Sequence, residues 1–389
     1  MLILPNIGNY RRIVIKIGSS LLVDGQDEGQ EGQVRKTWLK SLAQDIYQLK
    51  QIKDDKTEIL IVSSGSIALG RTKLNLHGRA LRLDEKQAAA AIGQISLMSL
   101  YQESLHAYGL QGAQILLTLQ DTELRKRHLN ARQAILQLLA WDYIPIINEN
   151  DTVTTQEIRY GDNDRLAARV ASMLSADLLI LLSDVDGLYS ADPRIDSKAQ
   201  HIAKVIELND DMMKMAGGAP AGYSSGGMRT KLAAAHIAMQ AGCDMVIAKG
   251  AANHPLQRLQ NQERTTHFQA NSNPLQARKS WIAGMIEVKG KIYIDKGAAK
   301  ALQDGNSLLP SGVKKTVGDF ERGDAVEIIL TSDPHNNKEQ NEKIATGLIG
   351  FSGEETQKII GLHSNKIAEV LGYEGRSTLI HRDDLVLNS

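Results

Sequence analysis

One cysteine, Cys243, is the whole thiol content of the 389-residue chain, which excludes an internal disulfide and a cysteine-rich zinc site. Following Ala241 and Gly242 at a helix-to-strand junction, it reads as a small buried residue rather than a nucleophile. An excess of one charge is lacking too. The 45 basic side chains balance 45 acidic ones, which leaves no global electrostatic reason to expect nucleic acid or an anionic membrane as the main partner. No apolar run approaches the ~18 residues of a membrane span, and the opening MLILPNIGNYRR meets Pro5 and Asn6 before such a run can build. The expectation is a protein with neither signal peptide nor transmembrane helix, at work in a reducing cytoplasm. The ten histidines show no H-E-x-x-H or comparable spacing, and no Ser/His/Asp triad is legible, so a dedicated zinc site is not expected.

What is present alternates. Apolar bursts at Ile13–Ile17, Glu58–Val62, Ala113–Leu117, Ile144–Ile147, Leu178–Leu182 and Met245–Ala248 predict strands. Helical spacing predicts helices at Val34–Ile52, Glu85–Tyr108, Asp121–Leu139, Asp164–Leu174 and Met228–Ala241. That is the pattern of an α/β protein with an open, mostly parallel sheet sandwiched by helices. Asp24–Gln33, polar and rich in Gly and Gln, reads as a mobile surface loop. Asn261–Lys279 lacks clear periodicity and reads as a linker. Beyond Trp281, short candidate strands at Ile282–Val288, Lys291–Ile294, Ala325–Leu330 and Glu342–Gly350, punctuated by glycine, predict a small β-rich domain. The expected division is 1–277 and 281–389.

Four strands end in abrupt polar clusters: KIGSS (Lys16–Ser20), SSGSIALG (Ser63–Gly70), NENDT (Asn148–Thr152) and SDVDG (Ser183–Gly187). Ligands of open parallel sheets bind beyond the carboxyl ends of the strands, so the clusters should share one edge and one site. Lys16 beside Gly18, Ser19 and Ser20 suits phosphate, as a point charge among approachable N–H groups; the alternative is a tight turn. Ser64, Gly65 and Ser66 before a helix suit an anion, or Ser66 is an ordinary cap. Asn148–Asp151 and Gly161–Arg165 bracket a loop with amides and carboxylates able to recognise an amino group, orient a lysine or help position magnesium, unless Asp164 only caps its helix. The stretch Gly217–Gly227 opens a helix carrying Lys231 in its first turn. It is a plausible cradle for terminal phosphates or a surface loop, and it lacks the G-x-x-x-x-G-K-[ST] spacing of a P-loop.

VIKIGSS (Val14–Ser20), IVSSGSIALG (Ile61–Gly70), IINENDTV (Ile146–Val153), GDNDRLAA (Gly161–Ala168), LLSDVDGLYSADPR (Leu181–Arg194) and GGMRTK (Gly226–Lys231) together resemble the amino-acid kinase superfamily, in the same order. NENDTV with GDND and the appended β-rich domain narrows the likeness to the glutamate 5-kinase family. The C-terminal strings IDKGA, SLLPSGV, FERGD, ATGL and LGYEG resemble a PUA domain. Trp281–Ser389 holds 13 basic and 16 acidic residues, 13 − 16 = −3, so strong general RNA binding is not expected of it.

The resemblance implies ATP as co-substrate with Mg²⁺, L-glutamate as acceptor, proline as feedback inhibitor and a homo-oligomer, a dimer or tetramer. It also implies roles for individual residues. Lys16 and Lys231 would meet the transferring phosphoryl group, and Asp164 would organise the two lysines. Ser64, Asp151 and Asn163 would contact glutamate. Gly18, Ser183 and Asp184 would lie near the nucleotide, with Ser225, Gly226, Gly227, Met228, Arg229, Thr230 and Lys231 closing over its phosphates. The expected rivals are a kinase for another acid, such as N-acetylglutamate or aspartate, and an RNA-binding factor with an inactive kinase-like domain.

Overall fold

Strands in the middle of a parallel sheet are covered on both faces and therefore need apolar residues at every position, which is what IVIKI, EILIV and LLILL supply apart from Lys16 and the leading Glu58. In the computed structural model, which describes residues 6–24, 33–52, 57–76, 78–153, 163–209, 212–213, 227–261, 263–283, 288–331 and 342–387, these runs are the centre of an eight-stranded sheet. Its strands are β1 (Arg12–Ile17), β2 (Glu58–Ser63), β3 (Gly112–Leu117), β4 (Ile144–Glu149), β5 (Leu178–Ser183), β6 (Lys204–Val205), β7 (Asp244–Lys249) and β8 (Thr265–Phe268), in the order β6-β8-β7-β5-β1-β2-β4-β3. From β7 to β3 all pairs are parallel; β8 runs antiparallel to β7.

Alternation along each strand divides the core in two. Ile13, Ile15 and Ile17 pack with Trp38, Leu42 and Ile46 of α1 (Lys36–Gln51) and Leu97 and Tyr101 of α3 (Leu83–His106). On the opposite face, Val14, Leu60 and Val62 pack with Leu166 and Val170 of α6 (Asn163–Leu174) and Leu232 and Ala235 of α7 (Met228–Gln240). Each fully buried side chain of this size stabilises by ~1.5–3 kcal/mol. Two helix layers thus enclose the sheet, as the alternation predicts.

Gly65 sits at φ 108° between β2 and the short helix α2 (Ser66–Lys73), a left-handed conformation that glycine adopts without strain. Helix α2 then lies directly on α3. A Cβ on Gly70 would overlap the Ala89 carbonyl oxygen, and one on Gly93 the Ser66 carbonyl oxygen. Backbone touches backbone there, so Gly93→Ala is expected to cost at least the ~1–3 kcal/mol of an overpacked core and to lower the denaturant midpoint. A midpoint equal to the wild type's would mean that α2 is seated elsewhere.

Several elements depart from the sequence reading. The single helix predicted over Asp121–Leu139 is two, α4 (Leu119–Glu123) and α5 (Arg125–Ala140), with neither Gly nor Pro to announce the break. The expected linker Asn261–Lys279 holds β8 and most of α9 (Pro274–Ala283). Strand β8 is four buried residues, too few to display a period, and its Thr266 hydroxyl is absorbed by the Ile202 carbonyl. Ile282, read as the start of a strand, belongs to α9. The ends of the Asp24–Gln33 stretch pair with each other through Val23–Val34 and Asp24–Gln33, while residues 25–32 lie outside the described residues.

The chain divides into two compact units, 1–123 with 130–274 and 124–129 with 275–389. The second unit contains a five-stranded sheet of Gly290–Ile294, Val313–Gly318, Ala325–Leu330, Glu342–Leu348 and Leu385–Leu387. Its core is built on Ile292, Val326, Ile328 and Phe351. Within it, the buried Arg278 and Asp384 form an ion pair at 2.6 Å. Among the described residues, no helix is long and apolar enough to cross a membrane.

Candidate active site

The carboxyl ends of the central strands are level. Ile17 is in register with Ser63 on one side and Leu182 on the other, and Ser183 with Lys249. The four polar clusters therefore open at one edge of the sheet. Lys16 occupies the position after Val14 on the face covered by α6 and α7, a place the core pattern would give to an aliphatic side chain. Asp164 is in the first turn of α6 and Lys231 in the first turn of α7, so all three converge on that face.

Their geometry is that of one carboxylate shared by two ammonium groups. Lys16 Nζ is 2.7 Å from Asp164 Oδ1, and Lys231 Nζ is 3.2 Å from Asp164 Oδ2. The Thr230 hydroxyl lies 2.9 Å from the same Oδ2. Residue exposures of 8% for Lys16, 4% for Lys231 and 1% for Asp164 make this a buried cluster, where charges interact strongly. Burial pushes the Asp164 carboxyl up, but the two ammonium groups and Thr230 outweigh it and hold the group well below the usual carboxylate range. Two positive charges against one negative leave an excess of one positive charge.

Gly18 adjoins this cluster at φ −73°. A Cβ there would meet nothing of the protein closer than Lys16 Nζ at 3.8 Å, so the fold itself does not demand glycine. Its bareness keeps the space beside Lys16 open, as an approaching anion requires. Ser183 ends β5 buried, and its hydroxyl donates to the exposed Asp184 carboxylate at 2.8 Å. Gly227 precedes α7 without a side-chain cap, which leaves first-turn N–H groups to a ligand. Met228 packs on the second core, Arg229 is exposed, and Ser225, Gly226, Gly161 and Asp162 lie outside the described residues.

A second group of polar side chains sits beyond β2 and β4. The Asn163 amide donates to Ser64 Oγ at 2.7 Å, to the Ser63 carbonyl at 3.1 Å and to Asn148 Oδ1 at 3.2 Å. Asn148 Nδ2 donates in turn to Gln94 Oε1 at 2.9 Å. Close by in sequence, the Ser66 hydroxyl donates to the buried Asp151 carboxylate at 3.0 Å. Burial pushes the Asp151 carboxyl up to about 6, with Ser66 drawing it part of the way back.

Ser66 is thus not the helix cap it resembles in sequence; Gly65 holds that position. Sequence reasoning passed over Gln94 altogether. Its signal was a glycine–glutamine pair inside AAAAIGQ, since a mid-helix Gly marks a close approach and a polar neighbour there faces what approaches. Cys243 is fully buried, with its thiol pushed well up by burial.

Two family models match successive parts of the chain. The model of the amino acid kinase family matches residues 11–249, and that of the PUA domain residues 290–371. Glutamate 5-kinase of Rhodopseudomonas palustris (strain BisA53) is 52% identical over 386 residues, covering 99% of this chain and 98% of the relative. Glutamate 5-kinase 1 of Rhizobium meliloti (strain 1021) is 51% identical, covering 98% and 93%. Glutamate 5-kinase of Bradyrhizobium sp. (strain BTAi1) is also 51% identical, over 98% and 97%. The chain belongs to the amino acid kinase family, as a glutamate 5-kinase-type enzyme whose kinase domain is followed by a PUA domain.

Proposed function

We propose that the protein transfers the γ-phosphoryl group of ATP to the side-chain carboxylate of L-glutamate, giving L-glutamyl 5-phosphate and ADP in the cytoplasm, as the first step of proline synthesis. The observation that carries this reading is the pair of buried ammonium groups on Asp164. A glutamate carboxylate, with a reference pKa of ~4.3, is already an ionised nucleophile at neutral pH and needs no general base. The obstacle is its repulsion from a polyanionic donor. Lys16 and Lys231 would neutralise the phosphoryl oxygens as charge shifts between them, and Asp164 would keep both lysines aimed without cancelling their combined charge. Mg²⁺ would reduce the phosphate charge further. The exposed Asp184 carboxylate offers the hard oxygen that ion takes, and the nucleotide's phosphates would hold the rest of it. Asn163 and Ser64 would orient the amino acid, and Asp151 would receive its ammonium group.

The Asp151 role has a pH signature. Its folded value of about 6 lies above the ordinary ~3.9, so ionising it costs the empty protein stability as pH rises through that interval. A bound ammonium group recovers that cost. Below pH 6 the KM for L-glutamate is expected to rise by about tenfold per unit, levelling off above it, and Asp151→Asn should flatten the profile. A wild-type KM constant from about pH 5 to 7 rejects the assignment.

The activity itself is tested with ATP and free L-glutamate, trapping the acyl phosphate as its hydroxamate; no hydroxamate above the glutamate-free blank defeats the proposal. Adding proline to the same assay tests feedback, for which inhibition competing with glutamate is the expected result.

A further inference from the structure

We propose that Gln94, on helix α3, is a positioning residue of the glutamate subsite, because it fixes the polarity of a buried chain of three side-chain amides, Gln94–Asn148–Asn163. The inference rests on the glutamate-kinase reading above and adds to it a residue that none of the strand-end motifs contains.

The direction of the chain is set by two backbone groups that cannot change roles. The Glu149 N–H donates to Asn148 at 2.9 Å, so that atom of Asn148 is its oxygen and the other is its amide nitrogen. That nitrogen must then meet an acceptor, which makes the Gln94 atom at 2.9 Å an oxygen. At the other end, the Ser63 carbonyl accepts at 3.1 Å from Asn163, which identifies the donor there as Nδ2. The same Nδ2 faces Asn148 Oδ1 and Ser64 Oγ. Every flip state follows, and reversing any one amide sets oxygen against oxygen or donor against donor.

Two atoms are left over. Asn163 Oδ1 and Gln94 Nε2 are both buried and have no hydrogen-bond partner among the described residues. Buried polar groups are rarely left unpaired unless a missing partner has a place there. The acceptor left open at the Asn163 end of the chain matches the ammonium group of an amino acid. Gln94 acts through its neighbours. Its Oε1 is the partner that keeps Asn148 Nδ2 satisfied, Asn148 in turn holds Asn163, and Asn163 is thereby kept with its oxygen free for the substrate. The glycine at 93, whose missing Cβ lets α3 touch Ser66, is what brings Gln94 close enough to join the chain.

Steady-state kinetics of the full-length enzyme decide the matter. Gln94→Met, similar in length but without an acceptor, should raise the KM for L-glutamate at least ~10-fold, the worth of a lost buried hydrogen bond. Its KM for ATP and its kcat should stay within about threefold. Gln94→Glu retains an oxygen facing Asn148 and should bring the glutamate KM back to within about threefold of the wild type. If Gln94→Met does not accumulate as folded protein, Gln94→Leu carries the same expectation. A glutamate KM within twofold of wild type in the acceptor-less variant overturns the proposal, as does an equal rise in both KM values, which marks a general loss of structure. Wild-type enzyme with no glutamate-dependent ADP release overturns the kinase reading as well, so the two failures are told apart.

Discussion

Lys231→Met lowers turnover with L-glutamate by at least ~10²-fold, the scale on which one electrostatic stabiliser of a transition state acts, and Lys16→Met does the same. The reason lies in the charge count. With both lysines the cluster carries one positive charge more than Asp164 neutralises; with either removed it is neutral and offers an incoming phosphoryl group no net attraction. Methionine keeps most of the side-chain volume, so the fold should survive. Removing a cation from a cluster that holds one to spare also leaves Asp164 paired with the other. Measuring kcat beside a thermal melt separates the two effects. Full turnover in both variants, with unchanged melts, would falsify the electrostatic role.

Asp164→Ala is expected to be the most destabilising substitution at the site. It leaves two ammonium groups buried against each other with no counter-charge, and breaking a buried pair in this way costs ~3–5 kcal/mol. Asp164→Asn keeps the shape and an acceptor for Thr230 and should cost less, while impairing turnover more than ATP affinity, because the lysines lose their aim rather than their charge. The pH dependence has a definite sign. A carboxyl held below its unfolded value stabilises fully above the ordinary carboxylate range and loses that contribution as the solution is acidified below it. Chemical denaturation at neutral pH and near pH 3 measures this: the gap between wild type and Asp164→Ala should be large in the first case and smaller in the second. An unchanged gap would show that the carboxylate is not what holds the lysines.

The strand ends were legible because an isoleucine or valine run stopping at KIGSS or NENDT can hardly be read otherwise, and the parallel topology turns four such endings into one edge. Lys16 was also legible, as the lone charge inside a core strand. Asp164 was not distinguishable by pattern alone from a helix cap, since acidic residues favour first turns whatever they touch; family resemblance, rather than periodicity, suggested its role. Ser66 misleads in the opposite direction, looking like a cap and serving Asp151 instead. Strand β8 escaped because Thr265, Thr266 and His267 look polar in a list, while in the fold each is buried. Gln94 escaped because the neighbours it answers to are far away in the chain.

The shared carboxylate also dates the assembly of the enzyme. It ties the first strand to helices that precede the fifth and seventh strands, so its three members are brought together only by contacts of long range, whose entropy of closure is met late. A nascent chain or fragment lacking α7 lacks the third member, however much of the sheet it has formed. In refolding, helical ellipticity should therefore return before catalysis does, and the regained activity serves as a clock for the closing step rather than for collapse.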